Sequence, residues 1–418
     1  MEVLVIGGGG REHAICYSLK KNKDISKIYC IPGNGGISDI AECYPDIKAT
    51  DLDKILQFVK DHKDISMTVV APDDPLALGL VDLLTENGFR AFGPTKDAAQ
   101  IEASKVFSKQ LMKKYNIPTA EYEVFDNAKQ AKEYLKTASY PIVIKADGLA
   151  LGKGVYICQD KKEAVEAVND IMLDQKFGKS GNQIVIEEFL VGYEVSVLAF
   201  CDGKTIIPME TSQDHKRALD NDKGLNTGGM GAFSPSQRFT DAEMKKAYDD
   251  IFLPTMNALN SEGITFKGII YFGLMVSDKG VKVLEYNARF GDPETQPILL
   301  RLENDLYEIF NLIIDQKLSQ VKLKWKDQQS LCVVIASGGY PESYEKGYEI
   351  SFGDIDEDCV VFHAGTKKVD GKYYTNGGRV LGVTCMGNTL AEAREKAYRN
   401  VAKINFKNIH YRKDIGVK

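Results

Sequence analysis

The 418-residue sequence predicts a multidomain protein of mixed α/β and α+β class. A parallel α/β domain over residues 1–102 is followed by a central region over 103–328 and a small β-rich domain over 329–418. Three observations lead there. Short apolar runs alternate with helical spacing up to about residue 102. Glycine-rich loops lie where those runs end, the rim on which parallel sheets hold ligands. From residue 329 on, the runs at 331–336 and 379–386 read as strands, and one helix over 390–404 closes the chain.

The N-terminal alternation is explicit. Residues 3–6 form an apolar run that ends in Gly7, Gly8, Gly9 and Gly10, and residues 11–19 carry helical spacing. A second strand over 27–31 ends in PGNGG at 32–36, and a third over 67–70 ends in Ala71, Pro72 and Asp73. The four glycines miss the dinucleotide fingerprint. It wants a third small residue where Glu12 and His13 stand, and an acid where the second strand meets Pro32. Bare amides at a helix N-terminus suit a phosphate. The loop therefore reads as a contact for a phosphorylated small molecule, or else as a tight structural turn.

Past Gly93 and Pro94 one helix is expected over 95–115, carrying Ser104 and Lys105. A strand over 141–145 delivers Lys145 into a glycine-rich connection with Gly148, Gly152, Lys153 and Gly154, and a further strand covers 155–158. Such a hairpin can fold backbone amides and a lysine over phosphates. It is no P-loop, because Gly154 replaces the Ser or Thr and a strand follows instead of a helix. A helix over 161–173 leads to a strand over 183–190 that ends in Glu187, Glu188, Phe189 and Leu190. A new strand starts at Glu194. The backbone of such a segment can read a purine edge while Glu194 takes ribose hydroxyls. The polar stretch between Met209 and Pro235 is long for a connection and is expected to be a lid.

The chain is organised around residues 283–297. Over 281–287 a strand is expected, with Val281, Val283, Glu285 and Asn287 on one face. Carboxylate and amide oxygens there are hard ligands, suited to a Mg²⁺ held partly by substrate phosphates. Arg289 follows with a planar fork for phosphate or carboxylate oxygens. A polar strand end with an ordinary turn is the bland alternative.

Composition bounds the rest. Hydrophobic and charged contents of 44% and 27% are those of a globular protein, and a net charge of −6 without a long basic run argues against nucleic-acid or anionic-membrane partners. Eight scattered cysteines without a Cys-x-x-Cys pair read as reduced thiols. No apolar run approaches the ~20 residues of a membrane helix, and residues 1–7 read as a strand, not a leader. The chain is expected to be cytoplasmic.

In order and spacing, several motifs together resemble the ATP-grasp ligases, and most closely the phosphoribosylamine–glycine ligase family of purine biosynthesis. They are GGGREHA at 8–14, PGNGG at 32–36, KADGLALGKG at 145–154, EEFL at 187–190, QDHKR at 213–217, NTGGMG at 226–231, EYNARFGDPETQ at 285–296 and GGRVLG at 377–382. The resemblance spans the chain. It implies an ATP-grasp core with a mobile small subdomain over 121–191, and an ATP-dependent C–N ligase. That ligase would join glycine to 5-phosphoribosylamine through a glycyl phosphate, with ATP as co-substrate and Mg²⁺ or Mn²⁺. It implies Glu285 and Asn287 as metal ligands, and Lys105, Lys145, Gly148, Gly152, Lys153, Glu187, Phe189, Leu190 and Glu194 around ATP. Arg289, Asp214, Asn226 and Gly229 are implied as catalytic, and Gly9, Gly10, Asp73, Asp292 and Arg379 as contacts of the amine substrate. Arg289 and the amides of 227–231 would stabilise the acyl phosphate and keep water out. His13 and His215 are expected to be structural, and the chain is expected to be a monomer. Tyr193, Leu225 and Asp73 depart from the family pattern, which puts the lid and a contact at Asp73 in question. A different ATP-grasp enzyme and a sensor that has lost catalysis stay open.

Overall fold

The computed structural model describes residues 1–149 and 154–417. Its first sheet is parallel throughout, in the order Glu42–Cys43, Lys27–Pro32, Glu2–Gly7, Ile65–Val70, Ala91–Phe92. Val3, Leu4, Val5 and Ile6 are fully buried, as a strand covered on both faces requires. The chain steps from Glu2–Gly7 to one side and then to the other. The loops after Gly7 and Val70 therefore flank the topological switch point, where such sheets bind ligands.

The helix expected over 95–115 is two helices, Lys96–Ala103 and Lys105–Lys114. Ser104 breaks the run because its hydroxyl caps the second helix, accepting from Phe107 N at 3.0 Å. Lys105 is thereby set on the first turn. A four-stranded antiparallel sheet follows, in the order Tyr122–Phe125, Ile184–Glu188, Ile142–Ala146, Val155–Cys158. Its core of Ala131, Leu135, Ile144, Ala164, Val168 and Ile186 is its own.

The central sheet is antiparallel, in the order Ile206–Pro208, Tyr193–Cys201, Gly268–Ser277, Gly280–Asn287. Its cores continue into the first domain, where Phe92 stacks on Phe310 with centroids 3.7 Å apart. The polar stretch from Met209 to Pro235 differs from the expected free lid. Gln213–Asp214 and Gly231–Ser234 join the C-terminal sheet, the latter against Gln329–Ser337. Gly231, Ala232, Phe233 and Ser234 are all buried. Only Arg217–Leu219 and Lys223–Asn226 stand out as a hairpin.

In the C-terminal sheet Gln329–Ser337 pairs with Arg379–Gly387, which pairs with Cys359–His363. Cys359 and Cys385 face each other in that register, Cα atoms 4.5 Å apart, and form a disulfide. This corrects the reading of all eight cysteines as reduced thiols; a separation of 26 residues gave no hint of the pairing. Among the described residues no helix is long and apolar enough to cross a membrane.

Candidate active site

The strand Gly280–Asn287 contains a bulge. Leu274 pairs with Val283 and Gly273 with Glu285, so Leu284 is the extra residue. The bulge corrects the expected alternation. Val281, Val283 and Tyr286 turn into the core, whereas Glu285 and Asn287 stay together on the opposite face, across from Gly273 and Tyr271. The carbonyl of the bulged Leu284 accepts from Lys145 Nζ at 3.0 Å.

Glu194 and Ser196 come onto the same face from Tyr193–Cys201, one strand beyond the neighbouring Gly268–Ser277. Between Glu194 and Glu285 lies Lys216, its ammonium 3.1 Å from Glu194 Oε2 and 3.4 Å from Glu285 Oε1. Burial opposes the charge on Lys216, but Glu194 and Glu285 hold it well above the usual lysine range. In return Lys216 lowers Glu285 to about 2, helped by Lys145 and Lys105 and opposed by burial.

Lysines line the side toward the small antiparallel sheet. Lys105 Nζ donates to Gly148 O at 2.8 Å. Lys145 meets Glu187 Oε1 at 2.9 Å, and Lys109 meets Glu187 Oε2 at 3.0 Å. Burial lowers Lys105, and lowers Lys109 to about 8. The Glu187 side chain is therefore enclosed by two ammonium groups. Phe189 is exposed, Leu190 half-exposed, and Val191 is 77% exposed, a bare apolar ledge just past Glu187. Gly152 and Lys153 lie outside the described residues.

Beyond Asn287, Arg289 is fixed by Glu102, Nη2 to Oε1 at 2.7 Å. Its Nη1 donates to Asn287 Oδ1 at 3.4 Å, and Nε has no partner. Burial raises the Glu102 carboxyl, opposed by Arg289, while Asp73 adds a further negative charge near both. Burial raises both the Asp214 and the Glu294 carboxyl, and the charge of Glu294 raises Asp214 further. Asp214 Oδ1 lacks a partner, and Glu294 Oε1 accepts from Ser196 Oγ at 3.4 Å. Gly229, at φ +114°, closes over Asp214. A Cβ there would stand 2.7 Å from Asp214 Oδ1 and 2.4 Å from Pro293 Cδ.

Two amide expectations are corrected. Gly9 N is not bare, because the Glu12 carboxylate folds back over the helix start and accepts from it at 2.6 Å. Nor are the amides of Thr227, Gly228, Gly229 and Met230. They donate to Lys216 O, the Tyr340 hydroxyl, Thr227 Oγ1 and His215 O. A glycine-rich sequence cannot reveal such internal partners. Asn226 ends the hairpin opposite Arg217.

The first and last domains converge on Asp292. Its Oδ2 accepts from Arg379 Nη2 at 3.0 Å, and its carbonyl accepts from Arg379 Nη1 at 2.7 Å. A Cβ on Gly9 or Gly10 would lie 3.6 Å from an Asp292 carboxylate oxygen. Arg379 Nη1 also donates to Gly228 O at 2.6 Å. His13 takes no part in the site. Its Nδ1 accepts from His363 N at 2.8 Å, tying the first domain to the last.

Along the sequence, residues 103–295 match the ATP-grasp (A) domain of phosphoribosylglycinamide synthetase, residues 1–102 its N domain and residues 330–418 its C domain. The chain belongs to the phosphoribosylglycinamide synthetase family. It is 49% identical to the phosphoribosylamine–glycine ligase of Halalkalibacterium halodurans, over 100% of this chain and 97% of that protein. It is 47% identical to that of Caldanaerobacter subterraneus, over 99% of each. The solved phosphoribosylamine–glycine ligase of Thermotoga maritima superposes with a TM-score of 0.86 at 35% identity, covering 99% of this chain and 100% of that one. The biotin carboxylase domain of Hydrogenobacter thermophilus 2-oxoglutarate carboxylase, 16% identical over 98% of this chain and 91% of that one, shares the fold with a TM-score of 0.75.

Motif and spacing in the sequence single out neither Lys216, Glu294, Lys109 nor Glu102. The first two lay inside quoted motifs. Lys109 is four residues after Lys105 on one helix face, a signal that was available. Glu102 had none, since Arg289 is 187 residues away.

Proposed function

We propose that the chain ligates glycine to 5-phospho-D-ribosylamine, giving glycinamide ribonucleotide, ADP and phosphate, a step of de novo purine biosynthesis. A glycine carboxylate oxygen attacks the γ-phosphorus as the bond to ADP breaks, forming glycyl phosphate. The amine then attacks its carbonyl carbon, loses a proton, and phosphate leaves. The observation that carries this reading is the shared sheet face on which Lys216 joins Glu285 to Glu194.

Each residue then has a physical task. Glu285 stays ionised down to about pH 2 and Asn287 offers an amide oxygen, so both fit a hard cation. Among the described residues no group of three or more His, Cys, Asp or Glu could hold an ion. Phosphate oxygens would therefore complete the shell of Mg²⁺ or Mn²⁺. The ion supplies charge neutralisation to the triphosphate. Lys105 and Lys145, with Lys153, neutralise phosphates, and Gly148 holds Lys105 through its carbonyl. Glu187 orients Lys145. Phe189 and Leu190 offer backbone and apolar surface to the purine, and Glu194 meets the ribose. Arg289 faces the acyl phosphate, while Asn226, Asp214 and Gly229 wall it from water. Arg379, Asp292, Gly9, Gly10 and Asp73 surround the phosphoribosylamine. Every residue comes from one chain, so a monomer suffices, and the reading places it in the cytoplasm with its small-molecule substrates. A three-substrate ADP-release assay tests the reading. ADP should form only with ATP, glycine and phosphoribosylamine together, and ADP formation independent of the amine would overturn it.

A further inference from the structure

Part of the active site is held by residues near the C-terminus that no assigned role includes. The hairpin Arg217–Leu219 with Lys223–Asn226 has little to hold it by itself. Its ladder pairs only Arg217 with Asn226 and Leu219 with Lys223. Asn221 and Asp222 sit at φ of 60° and 54°, and Leu219 and Leu225 are half exposed. Yet its roots are Lys216 and Thr227, joined by Thr227 N to Lys216 O at 2.8 Å.

Arg412, 1% exposed, grips this hairpin. Its Nη1 donates to Arg217 O at 3.1 Å and its Nη2 to Asp222 Oδ1 at 2.9 Å. Asp414 orients the guanidinium through a two-pronged pair, Nε to Oδ1 and Nη2 to Oδ2, both 2.8 Å. Neighbours add to the grip. Asn221 N donates to Asp414 Oδ2 at 2.8 Å, Lys413 N to Asp220 Oδ1 at 2.7 Å, and His410 Nε2 to Ala218 O at 2.8 Å. On its other side the segment is anchored to the helix Leu390–Val401. Tyr398 donates to Arg412 O at 2.7 Å, and Arg394 Nη2 donates to Lys413 O at 2.7 Å. The C-terminal segment thus fixes the residue next to Lys216 in the chain.

We propose that Arg412, oriented by Asp414, is a positioning residue of the ATP site: it locks the 217–226 hairpin so that Lys216 stays between Glu194 and Glu285. This deepens the functional reading given above and rests on Lys216 serving the nucleotide and its metal. Arg412→Ala in the full chain should speed amide exchange over 217–226 by about tenfold or more, the loss of charge-assisted hydrogen bonds. Exchange in 329–337 and 379–387 should stay as it is. The KM for ATP should rise by about tenfold with a fall in kcat, while that for phosphoribosylamine stays within about twofold. Arg412→Lys, which keeps the charge without the fork, should recover part of both effects. Should Arg412→Ala fail to fold, Asp222→Ala, on the exposed side of the grip, is read in the same way. Unchanged exchange at 217–226 in a folded variant would overturn the proposal, as would faster exchange with unaltered ATP kinetics. Glu285→Gln, measured alongside, reports separately on the metal-site reading.

Discussion

At the scale of single residues, the site is a set of charges that fix one another. Lys216 keeps Glu285 ionised, Glu102 holds Arg289, and Asp292 holds Arg379. Glu285→Gln keeps the shape but removes the only full negative charge of the Glu285–Asn287 pair. Turnover should fall by about 100-fold or more, the order seen when a charge-stabilising group is lost. Near-normal turnover at saturating Mg²⁺ would remove Glu285 from the chemistry. Arg379 is a sharper case, because its fork already serves Gly228 O and Asp292. Arg379→Ala should raise the KM for phosphoribosylamine by about tenfold or more and leave that for ATP nearly unchanged. An equal rise for every substrate, matched by a lower melting temperature, would reduce Arg379 to a tie between domains. Glu285, Asn287, Arg289 and Arg379 were legible because a charge in a spaced motif is visible in one dimension. Glu102 and Arg412 were not, since each gains its role from a partner nearly two hundred residues away.

At the scale of elements, local signals were reliable wherever one period governed the chain. The strand Glu2–Gly7 lies where apolar spacing put it, and the last helix starts at Leu390 as expected but ends at Val401, because Ile404 pairs as a strand with Phe352. Reading failed where one residue broke the period. Ser104 divided a helix by capping it, and Leu284 turned half of a strand over. The second failure is instructive, since a bulge needs the partner strand's register to be seen. Gly229 is the element-scale test. At φ +114°, beyond even the left-handed α region, a side chain costs on the order of 1–3 kcal/mol in the backbone, and a Cβ there would overlap Pro293 and Asp214. Gly229→Ala should therefore lower the melting temperature and abolish turnover together. A variant as stable and active as the parent would mean that the loop does not close over Asp214 as described.

At the scale of the whole molecule, the first and last domains meet through imidazoles, and that junction should sense pH. Burial lowers His13 to about 3 and His363 to about 4; His363 also opposes protonation of His13, Lys368 that of His363, and Asp39 favours both. His215, at the central junction, is likewise lowered to about 4 by burial and Arg412. In the unfolded chain such groups titrate near ~6.5. As pH falls below that value the unfolded chain takes up protons first. The stability these histidines confer is thus complete above pH ~6.5 and is lost as pH falls toward 4. Glu102, Asp214 and Glu294 act in the opposite sense, since burial raises them, so the net slope of the parent alone decides nothing. The difference between parent and a His13 variant does. In His13→Asn an amide oxygen can still accept from His363 N, while the titrating ring is gone. Between pH 7.5 and 5.5 the parent should lose about 1 kcal/mol more than His13→Asn, read as a larger drop in the urea midpoint. Equal drops in the two proteins would show that His13 takes up its proton in the folded chain over the same range as in the unfolded one, and that the junction between the first and last domains is not closed around a neutral imidazole.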